Sequence, residues 1–166
     1  MDALDTYGSY SQDYLNYYTD TATASNDRID ISDVNAGSIV DYKYNKVSGT
    51  MPSGISLYGY SLVVDSDNSF RLYFTSDAPD SHTYKLNDED VTYSSANNMY
   101  YVEVPNIAAK ELGDRFTITV DGFEMSFSAL SYAYLVLTKS NDDGLCNLVR
   151  SLVKYYNEVS VYDFSA

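Results

Sequence analysis

Tyrosine is the side chain with the most capacity for recognition chemistry in this sequence of 166 residues, where it occurs 19 times and tryptophan does not occur. Its ring provides apolar area for stacking and its hydroxyl provides a hydrogen bond, at a small cost in conformational entropy. Same-parity strand positions line one face of a sheet, so a row of tyrosines could stack on sugar rings or on a partner protein. Tyr84 and Tyr93 are candidates for such a face. The predicted ligand-binding residues are Tyr42, Tyr44, Tyr58, Tyr60 and Tyr73.

Side chains that perform catalysis are sparse. The single histidine and single cysteine, His82 and Cys146, cannot supply a zinc site of the usual type, a Cys–His dyad with partners or a disulfide within the chain. His82 has no neighbour in sequence that would orient it, which predicts a surface residue, whereas the apolar residues around Cys146 predict a buried thiol. The sequence therefore predicts a protein that is not an enzyme and uses no cofactor.

Three segments are rich in side-chain oxygens of the kind that bind calcium. Residues 26–33 resemble a dockerin calcium loop in spacing, but Ala22 and Ala24 stand where the loop needs oxygen ligands, so we predict a strand there. Residues 65–68 and 141–143 fit either weak calcium binding or turns whose side chains bond the local backbone. Turns are the commoner use of such residues, and no metal site is predicted.

The charge of the chain excludes two kinds of partner. The 24 acidic and 10 basic residues give a net charge of -14. This field repels phosphate backbones and anionic bilayers, so we expect no nucleic-acid partner. No stretch approaches the ~20 apolar residues of a membrane span, so we expect no membrane insertion.

Hydrophobic periodicity predicts the elements that carry these residues. The period is helical near both ends of the chain and is two between residues 42 and 127. We predict an N-terminal helix at 1–18, a linker at 19–27, a β-sandwich at 28–127 and a C-terminal helical hairpin at 128–166 packed on the sandwich. The predicted fold class is α+β, mainly β, with an antiparallel Ig-like sandwich flanked by helices.

Turn signals divide the β region into short strands. Asp121 and Gly122 suit a two-residue hairpin with positive φ. The predicted strands cover residues 42–47, 55–64, 69–74, 82–86, 91–94, 99–104, 116–121 and 123–127.

Four segments form a recognisable set, namely ALDTYGSYSQ (3–12), GTMPSGI (49–55), YYVEVPNIAAK (100–110) and SALSYAY (128–134). Together they resemble an uncharacterised module of large secreted and cell-surface proteins of gut and rumen Firmicutes such as Ruminococcus, including proteins that carry cellulosomal dockerins. The resemblance covers nearly the whole chain. It implies an extracellular or cell-surface location in a multimodular parent, with neighbouring modules as partners, and it brings no catalytic residues. Residues 1–5 lack the basic and apolar regions of a secretory signal.

A looser resemblance concerns residues 109–120, AKELGDRFTITV, which are similar to the E–F corner of immunoglobulin-like domains. Phe116 stands where that corner has a tyrosine, so the usual hydroxyl bond of the corner cannot form. The resemblance implies the sandwich architecture and no kinship with antibody domains.

Three functions are compatible with these features. The first is a non-catalytic module that binds a polysaccharide through its tyrosines. The second is an adhesion module that binds a host or bacterial surface protein. The third is a structural spacer, since the last helix weakly repeats the first at an offset of 148 positions, with Leu152, Tyr155 and Tyr162 matching Leu4, Tyr7 and Tyr14.

Overall fold

The computed structural model describes residues 3–15, 28–43, 46–63 and 68–161, and the chain divides into two compact units. One unit comprises Met1–Lys43 and Ala133–Ala166, and its described elements are helical. The other unit, Tyr44–Tyr132, contains two antiparallel sheets. The protein therefore has the predicted mixed α+β fold. The predicted linker at 19–27 and residues 16–18 of the predicted first helix lie outside the described residues.

Three helices are described, α1 (Ala3–Leu15), α2 (Ala129–Lys139) and α3 (Asp143–Ser160). The helix that packs along α3 is α1, whereas the sequence predicted a hairpin of α2 and α3. The two run in opposite directions, since the Ala3 amide donates to Glu158 at 3.2 Å and the Tyr7 and Tyr155 rings stack 6.0 Å apart. Among the described residues, no helix combines the length and the apolar character that a membrane crossing needs.

Residues 28–43 lie in the helical unit and contain no described strand. The strand predicted at 26–33 is wrong for the described residues 28–33. Of the strand predicted at 42–47, residues 42–43 are not in a strand and residues 46–47 are. Asx turns explain this difference, because Asp30 accepts from the Ser32 amide and Asn35 accepts from the Gly37 amide, each at 2.8 Å. The second turn caps a 3₁₀ segment at Ala36–Tyr42.

The sheet unit has nine described strands in two sheets. They are β1 (Lys46–Ser48), β2 (Ile55–Val63), β3 (Ser69–Ser76), β4 (Tyr84–Leu86), β5 (Glu89–Val91), β6 (Ser94–Ala96), β7 (Met99–Val104), β8 (Phe116–Val120) and β9 (Phe123–Phe127). One sheet has the order β1-β9-β8-β4-β5 and the other has the order β2-β3-β7-β6. The single strand predicted at 91–94 is wrong, because β5 and β6 lie on either side of residues 92–93 in different sheets.

Tight hairpin turns set the register of three strand pairs. Asp121 and Gly122 have φ of 46° and 86° between β8 and β9, which confirms the predicted two-residue turn. Asn and Asp tolerate this left-handed backbone better than other residues with a side chain. The β4–β5 and β6–β7 turns use them in the same way, at Asn87, Asp88, Asn97 and Asn98.

Aromatic side chains from both sheets form the core of the sheet unit. Phe70 of β3 and Phe127 of β9 are fully buried, and their ring centroids lie 4.2 Å apart. A second contact joins Phe74 of β3 to Tyr84 of β4 at 5.2 Å. These pairs show that the two sheets face each other across a shared apolar layer, as the alternation along their strands requires.

In the helical unit, the hydroxyl of Tyr7 is buried and has no hydrogen-bond partner among the described residues. Burial and the neighbouring Tyr155 raise the pKa of this hydroxyl far above its ordinary value. We expect Tyr7→Phe to increase the free energy of unfolding by about 1 kcal/mol, because a desolvated hydroxyl without a partner is removed while the ring stacking is kept. Urea unfolding measures the change.

The matched control is Tyr134→Phe, which removes the hydroxyl of a partly exposed tyrosine on α2 and should leave stability unchanged. Destabilisation by Tyr7→Phe would show that the hydroxyl is bonded in solution and would contradict the prediction.

Candidate functional site

Four of the five predicted binding tyrosines lie among the described residues. Tyr42 lies in the helical unit, where its hydroxyl is 3.3 Å from that of Tyr156. Tyr58, Tyr60 and Tyr73 all lie in the sheet unit, on β2 and β3. Tyr44 lies outside the described residues.

A β-bulge in β2 decides where two of these tyrosines point. Leu57 pairs with Phe74 and Gly59 pairs with Tyr73. Because Phe74 and Tyr73 are adjacent on β3, Tyr58 is an extra residue on β2 with no partner of its own in the strand pairing. A bulge of this kind shifts the alternation of side chains by one position. Tyr58 and Tyr60, which the sequence predicted on one face, therefore have different surroundings, since Tyr58 is 71% exposed and Tyr60 is opposite the buried Leu72.

Tyr60 belongs to the core. It pairs with the buried Leu72, and its ring stacks on Phe70 at 5.3 Å and on Phe127 at 6.2 Å. Its ring also meets Tyr132 edge to face at 6.1 Å. Tyr60 therefore packs with the core aromatics, and its assignment as a binding residue stays a prediction.

The outward face of the four-stranded sheet carries a different row of tyrosines. Tyr58, the extra residue of the bulge, is 71% exposed and precedes Gly59, which is opposite Tyr73. Tyr73 and Tyr101 are directly opposite each other on β3 and β7, and their ring centroids are 5.4 Å apart. These three residues, from adjacent strands β2, β3 and β7, define the tyrosine face.

A salt bridge borders the tyrosine face, two residues along β3 and β7 from Tyr73 and Tyr101. Arg71 Nε donates to Glu103 Oε1 at 2.8 Å, and the guanidinium lies 4.8 Å from the centroid of Tyr101. The hydroxyl of Ser69 donates to the same oxygen at 2.8 Å. These contacts hold charged donors and an acceptor at the rings, with the Arg71 guanidinium over one side of the Tyr101 ring.

The two charged groups are held in their ionised forms. The hydrogen bond to Glu103 is the main cause that raises the pKa of Arg71. Burial alone would raise the pKa of Glu103, but the hydrogen bonds from Ser69 and Arg71 outweigh it and lower that pKa. The pair therefore persists at neutral pH, available to polar groups of a ligand.

Small residues surround the tyrosine face. Gly59 is opposite Tyr73, Ser61 is opposite Arg71 and Ser94 is opposite Tyr101. A side-chain carbon placed on Gly59 would meet nothing within 4 Å. The neighbouring strands thus leave open space beside the rings for a flat ligand.

The sequence contained a signal for Tyr101, which was not among the predicted binding residues. Arg71 and Tyr73 on one strand, and Tyr101 and Glu103 on another, have the same spacing in reversed order. Antiparallel pairing then places ring opposite ring and cation opposite anion, which is the favourable arrangement. This pairing is the register that β3 and β7 adopt.

His82 has a partner that the sequence analysis missed. Its side chain is only 9% exposed, and Nδ1 lies 2.7 Å from Oδ2 of Asp121 in the β8–β9 turn. The prediction of a surface histidine is therefore wrong, and the group that orients the ring is distant in sequence, as the lack of a suitable neighbour requires. Backbone and side-chain hydrogen bonds from Thr83 and the bond with His82 lower the pKa of Asp121. The pairing was hidden because 39 residues separate the two groups.

Arg28 and Arg150 line a cavity of about 540 Å³ in the helical unit. Arg28 stacks over Tyr10 at 4.0 Å, donates to Ser9 and forms an ion pair with Asp13. Arg150 donates to the Val34 carbonyl and to Asn147. These arginines link α1, α3 and residues 28–34, so their role is structural.

The acidic segments considered for calcium make other contacts where they are described. Asp33 pairs with Lys154 at 2.8 Å, and Asp142 accepts from the Leu145 amide at 3.0 Å as the cap of α3. Asp65 and Asp67 lie outside the described residues. Within the described ranges, no three His, Cys, Asp or Glu side chains come together as a metal site would require. Cys146 is buried, as predicted.

Comparison of the chain with family models, with curated proteins and with solved structures finds no match. The geometry of the described residues therefore carries the functional argument. Its most distinctive feature is the tyrosine face with its bordering salt bridge.

Proposed function

We propose that this chain is a non-catalytic binding module and that its tyrosine face binds a polysaccharide. The observation that carries the proposal is that Tyr73 and Tyr101 lie side by side on β3 and β7, with the exposed Tyr58 on the adjacent strand β2. Tyrosine rings stack on the C–H faces of sugars, and their hydroxyls bond to sugar oxygens. The rings extend over two strand spacings, roughly 10 Å, which suits an extended ligand.

The border of the face supplies the polar contacts that sugars need. Arg71 presents donors and Glu103 presents acceptor oxygens beside the rings. Both side chains are partly exposed, at 29% and 32%. Because they already bond to each other, they are held in place before a ligand arrives, which reduces the entropy lost on binding.

An open face favours a polymer over a small molecule. Small ligands and cofactors bind in concave sites that enclose most of their surface. A sheet face with Gly59, Ser61 and Ser94 beside the rings can contact several sugars along a chain, but it does not enclose any of them. The ligand class we propose is therefore a polysaccharide of a plant or bacterial cell wall.

We also propose that the two sheets form an Ig-like sandwich. We letter the strands in chain order from β2 to β9 as A, B, C, C′, D, E, F and G. The four-stranded sheet β2-β3-β7-β6 then has the order A-B-E-D, and strands β5-β4-β8-β9 of the other sheet have the order C′-C-F-G. Immunoglobulin-like sandwiches have this order, with C′ in the variable type. Residues 109–120, which resemble an E–F corner, comprise the end of the β7–β8 connection and β8 itself in this scheme, and β1 is an additional strand beside β9.

An extracellular or cell-surface location is part of the proposal. It is supported by the resemblance to modules of secreted Firmicutes proteins, and the net charge of -14 suits a module exposed to solvent. In this setting the module would attach a larger protein to its substrate or surface.

Native gels that contain plant or bacterial polysaccharides test the proposal. We expect at least one polysaccharide to retard the protein, and Tyr73→Ala to weaken that binding at least tenfold, because truncating an aromatic anchor costs about 2 kcal/mol. Tyr58→Ala should weaken binding without loss of stability, since this side chain is exposed.

Tyr134→Ala is the matched control, because it removes a partly exposed tyrosine from α2. Retention of full binding by Tyr73→Ala, or equal weakening by Tyr134→Ala, would refute the assignment of the face. The absence of retardation by every polysaccharide in the panel would refute the polysaccharide proposal and favour a protein ligand.

A further inference from the structure

A second recognition site is suggested by a cavity of about 280 Å³ beside β4 and β5. These strands belong to the five-stranded sheet, whereas the tyrosine face belongs to the four-stranded sheet. The side chains that matter for its chemistry are Tyr84, Val91, Tyr93, Asp80 and Asp90. They combine aromatic and aliphatic walls with carboxylates.

The aromatic walls are held in fixed positions. The Tyr84 hydroxyl donates to the Pro79 carbonyl at 2.9 Å, and the Tyr93 hydroxyl donates to Asp80 Oδ1 at 2.6 Å. The two rings meet edge to face, with centroids 5.6 Å apart and an interplanar angle of 63°. Tyr100 supports Tyr93 from another side at 5.2 Å. Ordered aromatic walls of this kind bind a cation with little loss of entropy.

The carboxylates give the cavity a negative field. Asp80 has no basic partner among the described residues, and Asp90 has only Lys85 at 3.6 Å. Burial is the main cause that raises the pKa of Tyr84 to about 12, and the charges of Asp121 and Asp80 add to it. The hydrogen bond to Asp80 is the main cause that raises the pKa of Tyr93. A cation entering the cavity would therefore find the Asp80 carboxylate without a cationic partner among the described residues, whereas Asp90 is already paired with Lys85.

We propose that this cavity binds the ammonium group of a lysine side chain on a partner protein. The ammonium lies against the Asp80 carboxylate, and the methylene stem lies along Val91 and Tyr93. A positively charged group gains both a charge-assisted bond and a cation–π contact here. The net charge of -14 would also attract a partner that displays basic residues.

A lysine fits these walls better than other cations. An arginine guanidinium is planar and is best bound by both oxygens of one carboxylate, but Asp80 Oδ1 already accepts from the Tyr93 hydroxyl. An ammonium is a compact charge that the remaining oxygen can bind. An amino sugar carries its ammonium on a polar ring, which would place hydroxyl groups against the apolar surfaces of Val91 and Tyr93. The alkyl stem of lysine is apolar, as these surfaces are.

Two-dimensional amide NMR with Nα-acetyl-lysine methylamide tests the proposal. We expect saturable shifts in residues 80–93 at millimolar probe. The uncharged norleucine analogue should bind roughly tenfold more weakly, because it lacks the charged donor. Asp80→Asn should weaken the lysine probe to a similar extent. Asp77→Asn, which removes a nearby exposed charge outside the cavity, is the matched control and should leave binding unchanged.

Three results would overturn the proposal. They are the absence of saturable shifts with the lysine probe, equal binding of the norleucine analogue, and unchanged binding in a folded Asp80→Asn protein. Glucosamine serves as a further arm, with N-acetylglucosamine as its uncharged counterpart. Binding of glucosamine in place of the lysine probe would assign the cavity to an amino sugar and would also overturn the lysine assignment.

Discussion

Phe127→Ala is expected to lower the free energy of unfolding by about 3–5 kcal/mol. The ring is fully buried and lies 4.2 Å from Phe70 of the opposite sheet and 6.2 Å from Tyr60. Its removal loses the transfer free energy of the ring and leaves a cavity between the sheets, because neighbours in a close-packed core relax only in part. Urea unfolding followed by tyrosine fluorescence measures the loss as a lower midpoint.

The control for this prediction is Tyr58→Ala, which removes an exposed ring from the same unit and should change stability by about 0.5 kcal/mol or less. If Phe127→Ala does not fold, Phe127→Leu keeps much of the apolar volume and should show a smaller loss. A loss below about 1 kcal/mol for the alanine variant would mean that the two sheets do not share this core.

Leu152→Ala is expected to cost about 2–5 kcal/mol in the helical unit. Leu152 is 2% exposed on α3 and lies on the same buried side of this helix as Leu148 and Val149. Spacings of three and four residues place these side chains on one apolar face, as in an amphipathic helix. Hydrogen exchange of amides in α1 and α3 measures the effect, since their protection should fall together.

Val161→Ala serves as the comparison, because Val161 ends the same helix but is 80% exposed. It should leave the exchange of both helices almost unchanged. Unaltered protection of α1 in Leu152→Ala would contradict the packing of these two helices against each other.

Much of the sheet unit could be predicted from periodicity and turn residues. The predicted strands at 99–104 and 123–127 match β7 and β9, and the turn at Asp121 and Gly122 follows from the conformations that these residues allow. Helix α3 was also predictable from its apolar stripe. These features depend on residues close in sequence, so a local pattern contains the information.

The binding residues were harder to predict, because they depend on register and on distant partners. Strict alternation placed Tyr58 and Tyr60 on one face of the sheet. The extra residue of the bulge in β2 gives the two side chains different surroundings instead. Gly59 was the available signal, since a glycine within a strand often marks a bulge. The pairings of Arg71 with Glu103 and of His82 with Asp121 join residues 32 and 39 positions apart. No local pattern fixes such contacts.

The bulge in β2 has a consequence for association between copies of the protein. β2 is a long strand of nine residues at the edge of its sheet, and its unpaired backbone groups could template the addition of a strand from another molecule. The extra residue at Tyr58 interrupts the regular spacing of those groups and increases the local twist. An incoming straight strand could pair with only part of this edge, so the bulge at the exposed Tyr58 also protects the protein against aggregation.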